Sequence, residues 1–376
     1  MLHSWRNLDR VSRSAHESFL MARNIAAHSQ TNRPSHLPWG NAFSCCTSNN
    51  TLGEQFAFIK GKDRAEIMKE PKKVNVRSAD IYPNSSHRDG SIYKNSILQS
   101  IGHVTKRDET QLEPMKFSDP TNCFPDQQRC CIHFVCNMMQ FFSLKLAKVS
   151  ANTSLVQLYG YIAVRDSRDL LFNYIVNRSR DDPIVVKQGS LIDMTRPKRG
   201  IKMLGDVLVE FDMRIKTGEQ KEDDLQLIDG VVEYSKANAP FRPFTERITG
   251  NCGAVDITLA RVPDAMEATI DVIISKVQSG FDLSLSSFVF IGGSHKEIEL
   301  FCGIIGESSG LTRRHVIAIQ EDTWMHLRFK VGQKGSNYDD VERYCQFKAN
   351  IHGCAYQEIM LKHASILVKV SWSIIP

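Results

Sequence analysis

Four carboxylates crowd one phrase, YIAVRDSRDLLFNYIVNRSRDDP: Asp166, Asp169, Asp181 and Asp182. Gathered at one end of a sandwich, oxygen ligands of this kind would hold calcium. The same phrase carries Arg165, Arg168, Arg178 and Arg180, which would neutralise the acids as ion pairs, and Asp182-Pro183 reads as a turn. Ion pairing is the preferred reading, because so many guanidiniums beside the carboxylates would compete with a cation. Further on, TRPKRGI places Arg196, Lys198 and Arg199 in a Pro/Gly turn. Such cations suit a phosphate or an acidic partner, and a solvated turn is the plain alternative. Loops on a rigid scaffold carry function, so Arg196, Lys198 and Arg199, with Arg165, Asp166 and Asp169, are the candidate binding residues. No catalytic residue, metal ligand or cofactor is assigned.

Other groupings fall short of a site. CFPDQQRCCIHFVC clusters Cys123, Cys130, Cys131, His133 and Cys136, but zinc would want a second well-spaced pair. Ile132, Phe134 and Val135 there suggest a strand instead. His315, His326, His352 and His363 stand without a nucleophile-elbow phrase. His326 alternates outward beside Trp324 and Arg328, as a sheet-face residue does. Trp324, Tyr338 and Tyr344 could stack a sugar, although single aromatics on strands more often pack within the sheet.

The elements that must hold these residues are strands. In GDVLVEFDMRIK, Val207, Val209, Phe211, Met213 and Ile215 fall on one side, and Leu208, Glu210, Asp212, Arg214 and Lys216 on the other. The first side is expected in a core and the charged side in water, as in a sheet with one wet face. Similar runs follow: GAVDITLARV, ATIDVIISKV, FDLSLSSFVF, EIELFCGII, RRHVIAIQE, TWMHLRFKV and ASILVKVSWSII. About ten such strands, with Gly, Pro, Asn or Asp between them, predict an all-β antiparallel sandwich over residues 138–376.

Residues 1–137 read as a low-order arm with two short helices, near 14–28 and 63–70, because Ser, Asn, His and Pro dominate without a sustained period. The arm holds the charge: residues 1–140 carry 18 Lys and Arg against 13 Asp and Glu, the whole of the formal +5. The folded part therefore has no net field to steer it to nucleic acid, and no apolar run suggests a membrane partner. The ten cysteines are scattered and the first residues lack an apolar signal core. Reduced thiols and a cytoplasmic setting are expected, with an organelle transit peptide as the alternative.

Several ordered phrases carry a resemblance: MMQFFSLKLAKVS, VQLYGYIAVRDSRDLLFNYIVNRSRDDP, GSLIDMTRPKRGI, VLVEFDMRIKTGE, DDLQLIDG, CGAVDITLARVPDAMEATIDV and DTWMHLRFKVGQKG. Together they resemble the grass-expanded family catalogued as domain of unknown function 6598, over about residues 138–376. The same kind of domain resembles the C-terminal half of a cereal jasmonate-induced protein whose N-terminal half is a ribosome-inactivating rRNA N-glycosidase. The resemblance implies a plant source and a role in stress or defence, and it carries over no catalytic residues. A depurinase helix needs a Glu-Ala-x-Arg-like segment. Glu267-Ala268 lacks the Arg and sits in a strand, and Glu17 and Arg23 lie in the unpatterned arm. The expectation is a non-enzymatic interaction module that binds a protein or ribosome-associated partner. The alternatives are a relative or accessory of the rRNA N-glycosylases, and a carbohydrate-binding sandwich.

Overall fold

The computed structural model describes residues 79–82, 87–94, 106–114, 134–150, 155–195, 197–307, 311–333, 341–362 and 364–375. The sequence's two short helices, and Cys123, Cys130, Cys131, His133, Arg196 and Tyr338, lie outside them. The alternating Val/Ile/Phe runs form strands, as their fit to a pleated half-buried surface dictates. Among the described residues the fold is all-β, and the named strands pair antiparallel in three sheets.

The first sheet runs β1 (Asp80–Ile81), β8 (Leu225–Tyr234), β7 (Val207–Lys216), β3 (Leu155–Asp166), β4 (Asp169–Arg178), with β5 (Ile184–Lys187) also on β3. The second runs β16 (Gly353–Met360), β17 (Ser365–Ser373), β10 (Gly253–Ser275), β2 (Cys136–Val149), β6 (Ile201–Lys202). In it β9 (Phe244–Thr249) and β13 (Leu311–Gln320) also pair with β10. The third runs β12 (Ser294–Ile305), β11 (Phe281–Ile291), β14 (Trp324–Gln333), β15 (Val341–Lys348).

The runs GAVDITLARV and ATIDVIISKV read as two strands, but the structure joins them into the single strand β10. Pro263 cannot donate to a ladder, so it is tolerated only where pairing lapses. It sits in a bulge between Val262 and Ala265, beside Asp264 at φ 42°. Two cores flank this bulge. Before it, Val255, Ile257 and Leu259 pack with Leu144, Leu146, Ile162 and Phe211, under the first sheet. After it, Ile270, Val272 and Ile274 pack with Leu283, Leu285, Leu327 and Phe329, under the third sheet.

The charged side of β7 does not face water, which corrects the wet-face reading. Leu208, Glu210 and Arg214 are buried there together with Asp229 of β8. Three pieces of chain preceding residue 138 cover this outer face. Residues 80–81 pair with β8 as β1, at one edge. Gly230 admits them, since a Cβ there would overlap the Asp80 carbonyl. Residues 91–94 form a short 3-10 turn that sets Ile92 on Leu208 and Val231. At the opposite edge Thr110 N donates to Phe172 O and Phe172 N donates to Asp108 O, both at 2.9 Å.

Phe211→Ala should cost about 3–5 kcal/mol of stability, because the site is closed on all sides. Leu208→Ala should cost about 2–5 kcal/mol if its face is covered, and almost nothing if that face is wet. Urea denaturation of the two variants distinguishes these outcomes.

Candidate functional site

Among the described residues, a collection of ionisable groups lies between the outer face of the first sheet and the segment that covers it. Alternation along β7 brings Glu210, Asp212 and Arg214 to this face, and pairing with β8 sets Asp229 directly opposite Asp212. β3 adds Tyr161 and Arg165, opposite Asp212 and Leu208. Its path is tight at Gly160 (φ 110°), where a Cβ would overlap the Asp212 carbonyl. The covering segment contributes His87 and Tyr93.

His87 is fully enclosed. Its Nδ1 lies 2.5 Å from Asp229 Oδ1 and its Nε2 3.5 Å from Glu210 Oε2. Arg214 donates from Nη2 to Asp229 Oδ2 at 2.9 Å and from Nε to Asp212 Oδ1 at 2.5 Å. Arg165 donates to Glu210 and to the Leu170 carbonyl, with its guanidinium 3.9 Å above the Phe172 ring. Tyr93 OH donates to Glu210 Oε2 at 3.3 Å. Three acids thus meet two arginines and an imidazole, which balances when His87 is protonated.

Titration follows this geometry. Burial by itself would lower the His87 pKa, but the Asp229 and Glu210 carboxylates outweigh it and the net shift is upward. Burial, then the Glu210 charge, pushes the Tyr93 phenol up to about 12. Burial also raises Tyr161 far above its ordinary value.

His87, Asp212 and Asp229 place ligand atoms within 4.8 Å of one another, a grouping a metal ion could use. The residues do not fit one. Atoms on a common ion, each roughly 2.1 Å from it, stand about 3 Å apart or more. The 2.5 Å contact of His87 with Asp229 is a direct hydrogen bond, and Arg214 already bridges both carboxylates.

Of the candidate binding residues, Lys198, Arg199, Arg165, Asp166 and Asp169 come together next to this cluster, in a structural arrangement. Arg199 is turned inward and forks onto Asp166, at 2.7 and 2.9 Å. Asp166 also accepts from the backbone of Arg168, Asp169 and Lys202. Asn173 clamps the turn, donating to Arg199 O and accepting from Lys198 N, each at 2.8 Å. Glu267 accepts from Gly200 N and from Ser373 Oγ, tying the turn to β10 and β17. Asp169 and Lys198 hold the far end of the covering segment. Thr110 Oγ1 donates to Asp169 at 2.5 Å, and Lys198 Nζ lies 3.0 Å from Glu113. Arg165 belongs to the buried cluster described above.

The four acids considered for calcium do not gather. Asp166 and Asp169 flank the turn into β4, while Asp182 pairs with Arg178 at the strand's other end. Asp224, which the sequence reading passed over, receives Arg180 and Tyr159. Burial opposes its charge, yet these donors hold its pKa down at about 2. Cys136 is buried, and burial lifts its thiol to about 11. His326 is lowered to about 4 by burial and by neighbouring His295. Trp324 is exposed, whereas Tyr344 donates its hydroxyl to Glu342.

Residues 138–370 match the profile of a family described as Domain of unknown function (DUF6598). The chain belongs to this family. No curated protein matches. Among solved structures, a human GIVD cytosolic phospholipase A2 is similar at TM-score 0.22 and 8% identity, over 65% of this chain and 31% of that one. A two-domain structure of Extended-Synaptotagmin 2 gives TM-score 0.21 and 9% identity, over 66% of this chain and 95% of that one. The chain therefore spans about a third of the phospholipase chain it matches. The family match begins beyond the covering segment, so His87, Tyr93 and Thr110 lie outside the matched span.

Sequence reasoning named Arg165 but missed His87, Glu210, Arg214 and Asp229 as a cluster. The available signal was the mixture of both charge signs on one side of β7, where a solvated face and a paired buried one look alike.

Removing one partner of a buried fork leaves the other charge uncompensated. Arg199→Ala should therefore cost about 3–5 kcal/mol, against about 1 or less for Lys198→Ala on its half-exposed pair. Thermal melts of both variants check the contrast, and equal costs would rule out the buried fork.

Proposed function

We propose that the chain is a non-catalytic β-sandwich interaction module that binds a protein or ribosome-associated partner, in a plant stress or defence setting. The observation that carries this is the state of the ionisable groups. Among the described residues, the groups gathered around Glu210 and Asp229 and around Asp166 are enclosed and paired with one another, rather than aimed into a solvent-open cleft. Catalytic acids and bases need access to a reacting atom, and paired, enclosed ones serve the scaffold instead.

A surface suited to a partner lies on the same sheet, past the covered area. Leu155 of β3 pairs with Lys187 of β5, and Gln157 with Val185. This register sets Leu155 and Val185 diagonally on one face, 57% and 63% exposed, with Lys187 beside them. Apolar anchors rimmed by polar residues are the usual makings of a protein interface.

Co-sedimentation of the full chain with plant ribosomes, at low and at moderate salt, tests the proposal. Pelleting is expected to survive moderate salt, to weaken at least about tenfold with Leu155→Asp plus Val185→Asp, and to release no adenine from rRNA. Absence of pelleting at both salts would remove the ribosome-associated partner. Adenine release would replace the module with the rRNA N-glycosylase alternative.

A further inference from the structure

Outside the span matched by the family, one histidine reaches fully buried carboxylates on two strands. The covering segment is also held at its two edges, by β1 on β8 and by Asp108, Thr110 and Glu113 beside β4, and His87 lies between these anchors. Tyr82 N donates to Asp229 O at 2.8 Å and Gln226 Nε2 donates to Tyr82 O at 2.5 Å, which anchors one end. Arg107 donates to the His87 carbonyl at 3.3 Å, connecting the far piece to the middle. The His87 ring meets Tyr93 and Tyr161 edge-on, with centroids 6.1 and 5.7 Å away. The apolar contribution is small: Ile92 on Leu208 and Val231, with Tyr82 and Tyr93 at its margin. A cover with so little apolar area depends on its polar contacts.

We propose that residues 79–82, 87–94 and 106–113 form a releasable strap over the outer face of the first sheet, latched by protonated His87 between Asp229 and Glu210. The groups that face His87 come from every packed element. β7 supplies Glu210, Asp212 and Arg214, and β8 supplies Asp229. β3 supplies Tyr161 and Arg165, and the strap itself supplies Tyr93 and Arg107. The imidazole is the group here whose ordinary value lies nearest neutral pH, and Tyr93 and Tyr161 are pushed further away from it by burial. Loss of the His87 proton removes the cation lying between Asp229 and Glu210, and leaves three carboxylates, Asp212, Asp229 and Glu210, paired within the cluster to Arg214 and Arg165 alone. The strap then lifts and uncovers Leu208, Val231 and Phe172. Because the folded-state pKa of His87 is raised, the latch holds fully below the ordinary value of 6.5 and is lost as pH rises through the raised value. This proposal does not depend on the interaction-module reading.

Hydrogen–deuterium exchange of the full chain, followed from about pH 5 to about pH 9 and corrected for intrinsic exchange, tests the latch. Protection at residues 87–94 and 106–112 should fall by up to about tenfold per pH unit between the ordinary and raised values. Peptides from β14 and β17 should stay unchanged. His87→Gln should leave the strap weakly protected and independent of pH, and the exposed neighbour substitution Arg88→Gln should behave as wild type. Strap protection that is flat with pH in the wild type overturns the proposal. So does pH dependence retained in His87→Gln, or loss of protection in strap and control strands together. If His87→Gln does not fold, the wild-type series and an NMR titration of the His87 ring decide, and a ring titrating at or below the ordinary value overturns the latch.

Discussion

A carboxylate taken out of water must find a cation or several donors, and in this chain that requirement places more of the structure than any apolar contact outside the two cores. Charges a few ångströms apart in a low-dielectric interior interact far more strongly than in water, and an unmatched one is correspondingly costly. Asp166 meets the requirement with the Arg199 fork and three backbone amides. In doing so it fixes the turn between β3 and β4 and draws in the chain just before β6. Glu210 and Asp229 meet it with Arg165, Arg214 and His87, and so recruit residues far away in sequence to cover the sheet. The two solutions adjoin through Arg165 and Asp166, successive residues whose side chains leave β3 on opposite faces.

Much of the architecture could be read from the chain because the alternation of Val, Ile and Phe is local. Phe211 announces its core side through its neighbours two residues away, and the strand it lies in follows. What covers the opposite side has no such signature. Glu210 and Arg214 present the same letters whether they meet solvent or each other, so the pattern on β7 was compatible with a wet face and the structure shows a buried one. The partner of Asp166 lies 33 positions along the chain and that of Asp229 lies 142 positions away, distances at which spacing carries no information. Residues 87–90 form a turn, which has no period to read. The covering segment takes its order from the sheet it rests on, not from its own Ile92 and tyrosines.

The candidate binding residues taken from TRPKRGI and YIAVRDSRD were chosen as a cationic loop and an acidic loop. In the structure Arg199 of the first meets Asp166 of the second. The direction of the side chains could not be read, because Pro197 and Gly200 permit a turn that points Arg199 inward as easily as outward. Gly200 itself lies against Met138, Ile375 and Glu267, so the turn sits down on the second sheet where a larger residue would hold it off.

The passage of β10 through both cores bears on how the molecule can come apart. One strand supplies the floor of each core, and the bulge at Pro263 and Asp264 redirects it without breaking it. Each core keeps the sheet that covers it if the chain is divided there, but the second sheet, which backs both, is split. Strain applied to one is carried along a continuous backbone into the other, much as a shared beam joins two rooms. The chain therefore has two hydrophobic interiors but one unit of inheritance: recombination that cuts within β10 separates neither half as a working piece, and the two cores must be passed on together.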